Sequence, residues 1–147
     1  MDRLALDVML GKLARYLRMC GYDAAYALDA GVETDGELLE LVRKEQRLLL
    51  TRDVQLAGRA ERSLLLKSLD VRDQLRELRT AGFELTLTEP TRCALCNARL
   101  ERVPDGASTP AYAPATAETP VWRCPSCGQH YWRGSHWDDV AATLADL

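Results

Sequence analysis

The sequence predicts an α/β fold: a parallel sheet with flanking helices in three layers, followed by a small cysteine-built module. Three observations carry this expectation. Short apolar runs alternate with stretches of helical spacing, as strands and crossover helices do. The run Leu48-Leu49-Leu50 breaks off into Thr51-Arg52-Asp53, which is how a buried parallel strand reads where its carboxyl end opens into a site. Two C-x-x-C pairs lie beyond residue 90.

Composition sets the limits. A chain of 147 residues, 47% hydrophobic and 28% charged, is large enough for one core plus an appendage. Its net charge of −3 supplies no bulk electrostatic footprint for nucleic acid. No apolar run approaches the ~18 residues of a membrane span, and the first residues lack a secretion-signal pattern. A cytoplasmic location without a membrane partner is therefore expected. There, paired cysteines read first as metal ligands rather than as disulfides.

The first strand is Leu4-Ala5-Leu6, running into Asp7. Residues 8–20 follow with Leu10, Leu13, Ala14 and Leu17 at helical spacing, and Gly21 stands where a C-cap belongs. Lys12, Arg15 and Arg18 recur every third residue and share a face. Arg18 reads as solvated; Lys12 and Arg15 read either as solvated or as flanking a site and holding phosphates. Cys20 reads as a small buried apolar residue.

A second strand over residues 24–28 runs into Asp29. Thr34 with Glu37 fits a capping box, with Asp35 in the first turn, ahead of Leu38, Leu41 and Val42 on a helical face. The third strand, residues 47–52, leads to a short helix over Val54 to Ala60. Ser63-Leu64-Leu65-Leu66 reads as the fourth strand. Asp70 is placed as the N-cap of a helix with Val71, Leu75 and Leu78 on one face. Phe83, Leu85 and Leu87 alternate with polar residues, predicting an edge strand that Pro90 closes.

The division expected is 1–90 for the sheet domain and 91–147 for the cysteine module. Cys93-Ala94-Leu95-Cys96 and Cys124-Pro125-Ser126-Cys127 offer four thiolates that two knuckle turns can bring to one tetrahedral zinc ion. Four such ligands close the shell, so this zinc would be structural. Between the pairs, residues 104–120 are rich in Pro, Ala, Thr and Ser and read as an inserted loop. Short strands are expected at Trp122 and at Tyr131-Trp132. Ser135 with Asp138 reads as a capping box for a last helix through Val140, Leu144 and Leu147. The aromatics here read mainly as core for a small module, with one or two rings free to stack on bases.

Three strand-like runs end in Asp7, Asp29 and Asp53, and parallel strands deliver such ends to one edge. Asp7, Asp35 and Asp53, with Asp29 or Glu37 as additional acids, would crowd negative charge that a cation relieves. Few, incompletely enclosing oxygen ligands suit Mg²⁺ or Mn²⁺, and such ions support phosphodiester hydrolysis. Lys12, Arg15 and Arg52 are the candidates for contacting the phosphate backbone.

The segments Asp7-Val8-Met9-Leu10-Gly11-Lys12-Leu13-Ala14-Arg15-Tyr16-Leu17-Arg18 and Leu50-Thr51-Arg52-Asp53 resemble the PIN-like RNase domain at the C-terminus of the Mut-seven exonucleases. So do Arg92-Cys93-Ala94-Leu95-Cys96-Asn97 and Tyr131-Trp132-Arg133-Gly134-Ser135-His136-Trp137. The resemblance covers nearly the whole chain. It implies a PIN-like α/β nuclease domain joined to a zinc ribbon, and metal-dependent RNA hydrolysis with Asp7, Asp35 and Asp53 at the matching acidic positions. A fourth acid stays open among Asp29, Glu37 and Asp70.

The leading functional reading is a ribonuclease acting on single-stranded RNA, its ribbon assisting RNA or partner docking. Ribosome or tRNA association and a homodimer are further readings. The alternative is a non-catalytic RNA- or ribosome-binding adaptor. A phospho-receiver domain also places Asp at strand ends, but it needs a paired acid after the first strand, and Asp7 stands alone.

Overall fold

The apolar runs pair as the alternation requires. The computed structural model describes residues 1–147. The first part of the chain forms β1 (Leu4–Leu6), a 3-10 turn (Val8–Leu10), α1 (Gly11–Met19), β2 (Ala24–Tyr26), α2 (Asp35–Glu45) and β3 (Leu48–Thr51). It continues through α3 (Val54–Arg59), β4 (Ser63–Leu65) and α4 (Val71–Thr80). The remainder contains β5 (Glu101–Arg102), β6 (Trp122–Arg123), β7 (His130–Tyr131) and α5 (Ser135–Ala145). Strands β1 to β4 make one parallel sheet in the order β2-β1-β3-β4. Strands β5 to β7 make a small antiparallel sheet.

Side chains alternate across each strand, so an unbroken apolar run fills two cores. Leu4, Leu6 and Leu50 pack with Leu13 and Leu17 of α1 and Leu75 and Leu78 of α4. Ala5 and Leu49 face the other way, onto Leu38 and Val42 of α2 and Leu56 of α3. Helix, sheet and helix thus form three layers. Val140 and Leu144 of α5 join the first core, so the last helix of the chain closes over the sheet that begins it. No helix is long and apolar enough to cross a membrane.

Most helix starts follow the sequence signals. The Thr34 hydroxyl accepts from the Glu37 N–H at 3.1 Å, and Asp70 caps α4 through the Arg72 N–H. The expected capping box at Ser135 is corrected: Gly134 is the N-cap of α5 and no side chain caps it. Ser135 is already the first helical residue, one position too far along to cap.

Residues 83–88 are corrected too, because they form no strand. Their alternation is real: Leu85 is buried in the first core, with Phe83 and Leu87 packed against it. No neighbouring strand takes their backbone. The Tyr22 hydroxyl does so instead, donating to the Glu84 carbonyl at 3.0 Å and accepting its N–H at 3.1 Å.

Strand β2 lies at the edge of the parallel sheet, where free backbone groups need partners. The Ala24 N–H donates to Asn97 Oδ1 at 2.9 Å, and the Ala24 carbonyl accepts from Arg18 Nε at 2.9 Å. Arg18 also donates through Nη1 to Asp29 and to the Ala94 carbonyl. Far from lining a solvated face, it is 2% exposed, and it ties α1, β2 and the first knuckle together. The loop over residues 104–120 is a succession of turns, anchored by Tyr112, whose hydroxyl accepts the His130 N–H at 3.1 Å.

Candidate active site and metal centre

In a parallel sheet every strand-to-helix connection leaves from the carboxyl edge. Asp7 after β1, Asp35 at the start of α2, Asp53 after β3 and Asp70 before α4 therefore share that edge. From the central pair the chain departs in opposite directions, β1 toward β2 and β3 toward β4. Such a switch point is where open α/β sheets bind ligands. Asp7 and Asp53 flank it.

Hydrogen bonds fix both residues. Asp7 Oδ1 accepts the Met9 N–H at 3.1 Å, capping the 3-10 turn, and Oδ2 accepts the hydroxyl of the fully buried Thr51. The same hydroxyl accepts the Asp53 N–H at 3.0 Å. Asp53 Oδ1 in turn caps α3 by accepting the Leu56 N–H at 3.1 Å. Asp35 is exposed in the first turn of α2. These acids share an edge without forming a tight donor group: the four cysteines alone bring three or more His, Cys, Asp or Glu ligand atoms within 4.8 Å of one another.

The additional acids differ in surroundings. Asp29 is paired with Arg18 at 3.1 Å, and Glu37 accepts the Thr34 hydroxyl. Asp70 lines a cleft of about 320 Å³ with Lys12, Met9 and Leu69. Lys12 and Arg15 are exposed on α1. Arg52 has a buried Nε with no hydrogen-bond partner. Val8, Met9, Leu28, Val54 and Leu69, all exposed, follow the strand ends and rim this edge with apolar surface.

The cysteine cluster is the second centre. Each knuckle closes by a backbone bond, Asn97 N–H to the Cys93 carbonyl and Gly128 N–H to the Cys124 carbonyl, both 2.9 Å. Asn97 and Gly128 follow the second cysteines with φ of 72° and 83°, the left-handed conformation that Gly and Asn adopt most readily. Sulfurs about 2.3 Å from a tetrahedral zinc stand about 3.8 Å apart. Here Cys93 and Cys127 are 3.6 Å apart, and Cys96 and Cys124 are 3.4 Å apart. Burial, with neighbouring thiols, pushes Cys96 up to about 12. In Cys124 burial is outweighed by N–H donors from Cys127 and Ser126 and by the Cys96 thiol, which bring it down to about 7. Four sulfurs at this spacing can hold zinc.

The model of the Mut7-C RNAse domain matches residues 2–144. The chain belongs to this family. Neither a curated protein nor a solved structure gives a match. The Mut7-C RNAse match runs through both the parallel sheet and the cysteine module.

Two side chains at the carboxyl edge of this Mut7-C RNAse domain have roles that sequence reasoning missed. Thr51 stood out as the polar break in an apolar run, but its partner Asp7 lies 44 residues away. Tyr26 gave no signal. Its hydroxyl donates to the Val8 carbonyl at 2.6 Å, and a Cβ on Gly11 would stand 3.0 Å from it, so the glycine lets the ring close on the Asp7 turn. Burial, then the charges of Asp29 and Asp7, raise the Tyr26 pKa, which keeps it a neutral donor.

Proposed function

We propose that this protein is a metal-dependent ribonuclease that hydrolyses phosphodiester bonds of single-stranded RNA at the carboxyl edge of its parallel sheet. The family supports the reaction class. The observation that carries the site is the pairing of Asp7 and Asp53 through Thr51 at the switch point of the sheet. Carboxylate oxygens at an open edge are donors that Mg²⁺ or Mn²⁺ accepts, and Asp7, Asp35 and Asp53 would hold the ion. Bound there, it would supply Lewis-acid stabilisation to the charge developing on phosphodiester oxygens. Thr51 fixes the Asp7 carboxylate and the Asp53 backbone in relation to each other. Arg52, beside Asp53 at the end of β3, would contact a phosphate oxygen, and Lys12 and Arg15 attract the RNA backbone. The zinc that Cys93, Cys96, Cys124 and Cys127 would hold has a closed shell and serves structure.

The test is incubation of end-labelled single-stranded RNA with the purified protein in Mn²⁺ or Mg²⁺, beside Asp7→Asn and Asp53→Asn. Cleavage that needs added metal and disappears in both folded variants is expected. Equal cleavage by the variants would sink the assignment. A second reading, an RNA-binding adaptor without catalysis, draws on the use of Asp7 and Asp53 as helix caps and on the spread of the acids. Absence of cleavage with retained RNA binding would select it.

A further inference from the structure

We propose that the cavity between the end of α1 and the second knuckle is a nucleobase site, taking one unpaired base of an RNA strand that runs on from the carboxyl edge. The substrate class rests on the ribonuclease reading; the site itself is argued from its walls. The cavity measures about 220 Å³ and is lined by Met19, Gln129, Tyr131, Trp132, His136 and Trp137 among others. That is below the ~300–1,000 Å³ of sites for drug-sized ligands, so it suits a single planar ring. Aromatic side chains offer the π-faces on which bases stack, and Gln129 and His136 offer polar groups to a base edge.

The walls are preorganised. A Cβ on Gly134 would lie 2.5 Å from Trp132 Nε1, so the indole rests directly on the chain entering α5. Tyr112 packs against Trp132 with ring centroids 6.2 Å apart. Trp122, by contrast, is buried, with Arg102 and Arg133 over its ring at 5.5 and 5.7 Å, and it has no face to offer. The occupant is chosen by shape and stacking, since residues 91–147 carry five arginines against six acids; Arg92 is the cation on the cavity wall.

A physical connection joins this cavity to the acidic edge. Ala94, on the cavity wall, and Asp29, just beyond β2, accept from the same Nη1 of Arg18 at 3.0 and 3.1 Å. One guanidinium group thus links the base site to Asp29, which follows β2, and the strand would run on from there toward Asp7 and Asp53.

The experiment uses the full zinc-loaded chain carrying Asp53→Asn, so that binding is read without turnover. Its probes are a labelled single-stranded hexaribonucleotide and an abasic ribose-phosphate chain of the same length. Adding Trp137→Ala is expected to weaken hexamer binding roughly 5- to 150-fold, the worth of one stacked base. Trp137→Phe keeps most of the affinity, and the abasic chain binds weakly to every variant. If Trp137→Ala fails to fold by circular dichroism and zinc content, His136→Glu at the exposed wall substitutes, with the same expected loss. Parental hexamer affinity in a folded variant, or tight binding of the abasic chain, would overturn the proposal. Trp137-dependent binding without cleavage by the Asp53 protein would keep the base site and end the nuclease reading. Cleavage with Trp137-independent binding would do the reverse.

Discussion

The Thr51 hydroxyl donates to the Asp7 carboxylate while accepting the Asp53 N–H, so one buried side chain sets the relation between the two acids at the centre of the sheet. Thr51→Val keeps the shape and removes both bonds. It is expected to lower stability by about 1–3 kcal/mol, the cost of leaving buried polar groups unmade, and to slow metal-dependent cleavage about 10- to 100-fold with little change in RNA affinity. Thr51→Ser restores both. Single-turnover cleavage and urea midpoints measure the pair, and a parental rate in Thr51→Val would remove Thr51 from any positioning role.

Arg18 carries a buried charge with three acceptors, the Ala24 and Ala94 carbonyls and the Asp29 carboxylate. Arg18→Ala leaves those acceptors short of a donor and opens the contact between β2 and the first knuckle. The expected loss is about 3–5 kcal/mol. Arg18→Lys recovers little, because an ammonium cannot reproduce the planar fork. Urea unfolding of the three proteins decides it, and a loss below about 1 kcal/mol in Arg18→Ala would reduce this to a surface ion pair.

That same residue marks where the sequence stopped being readable. The strands and helices were legible because burial on both faces forces unbroken apolar runs such as Leu48-Leu49-Leu50, and caps such as Thr34 and Asp70 act within three residues. The shared edge of Asp7, Asp35 and Asp53 followed from parallel topology alone. Arg18 was illegible because its Ala94 acceptor lies 76 residues away, and a helical periodicity of cations looks the same whether or not a knuckle docks on it. Residues 83–88 misled for a related reason. Alternation reports which side chains face the core, but Tyr22 rather than a strand takes the backbone groups of Glu84. The cap roles of Asp7 and Asp53 act within three residues and were equally local, whereas the spacing between the acids depends on contacts such as Thr51 to Asp7 across the sheet.

Metal removal tests the cysteine cluster. Cys93 and Cys124 are fully buried, so Cys93→Ser is expected to abolish zinc content and lower the melting temperature by at least about 5 °C. Cys20, buried in the first core away from the cluster, provides the control, because Cys20→Ala should leave zinc content unchanged. Elemental analysis and thermal unfolding with and without a chelator give the readouts. Full zinc content in Cys93→Ser would mean that the ion sits elsewhere.

Asp23 predicts how stability responds to acid. Burial works to raise its pKa, but hydrogen bonds from Arg47 and Asn97, both 2.8 Å, and the charges of Arg47 and Arg92 hold it below the ordinary carboxylate range. A folded pKa below the unfolded value of about 3.9 means that the unfolded chain binds the proton more readily. This contribution is therefore present above pH ~4 and is lost as pH falls through the depressed folded value. Asp23→Asn should flatten that acid limb. At pH 7 it should also cost about 1–3 kcal/mol, because Arg47, 7% exposed, loses one of its two carboxylate partners and keeps only Glu45. Urea unfolding of both proteins between pH 2.5 and 7 measures the two effects together, and parallel acid limbs would show that Asp23 is not among the groups whose protonation unfolds the chain.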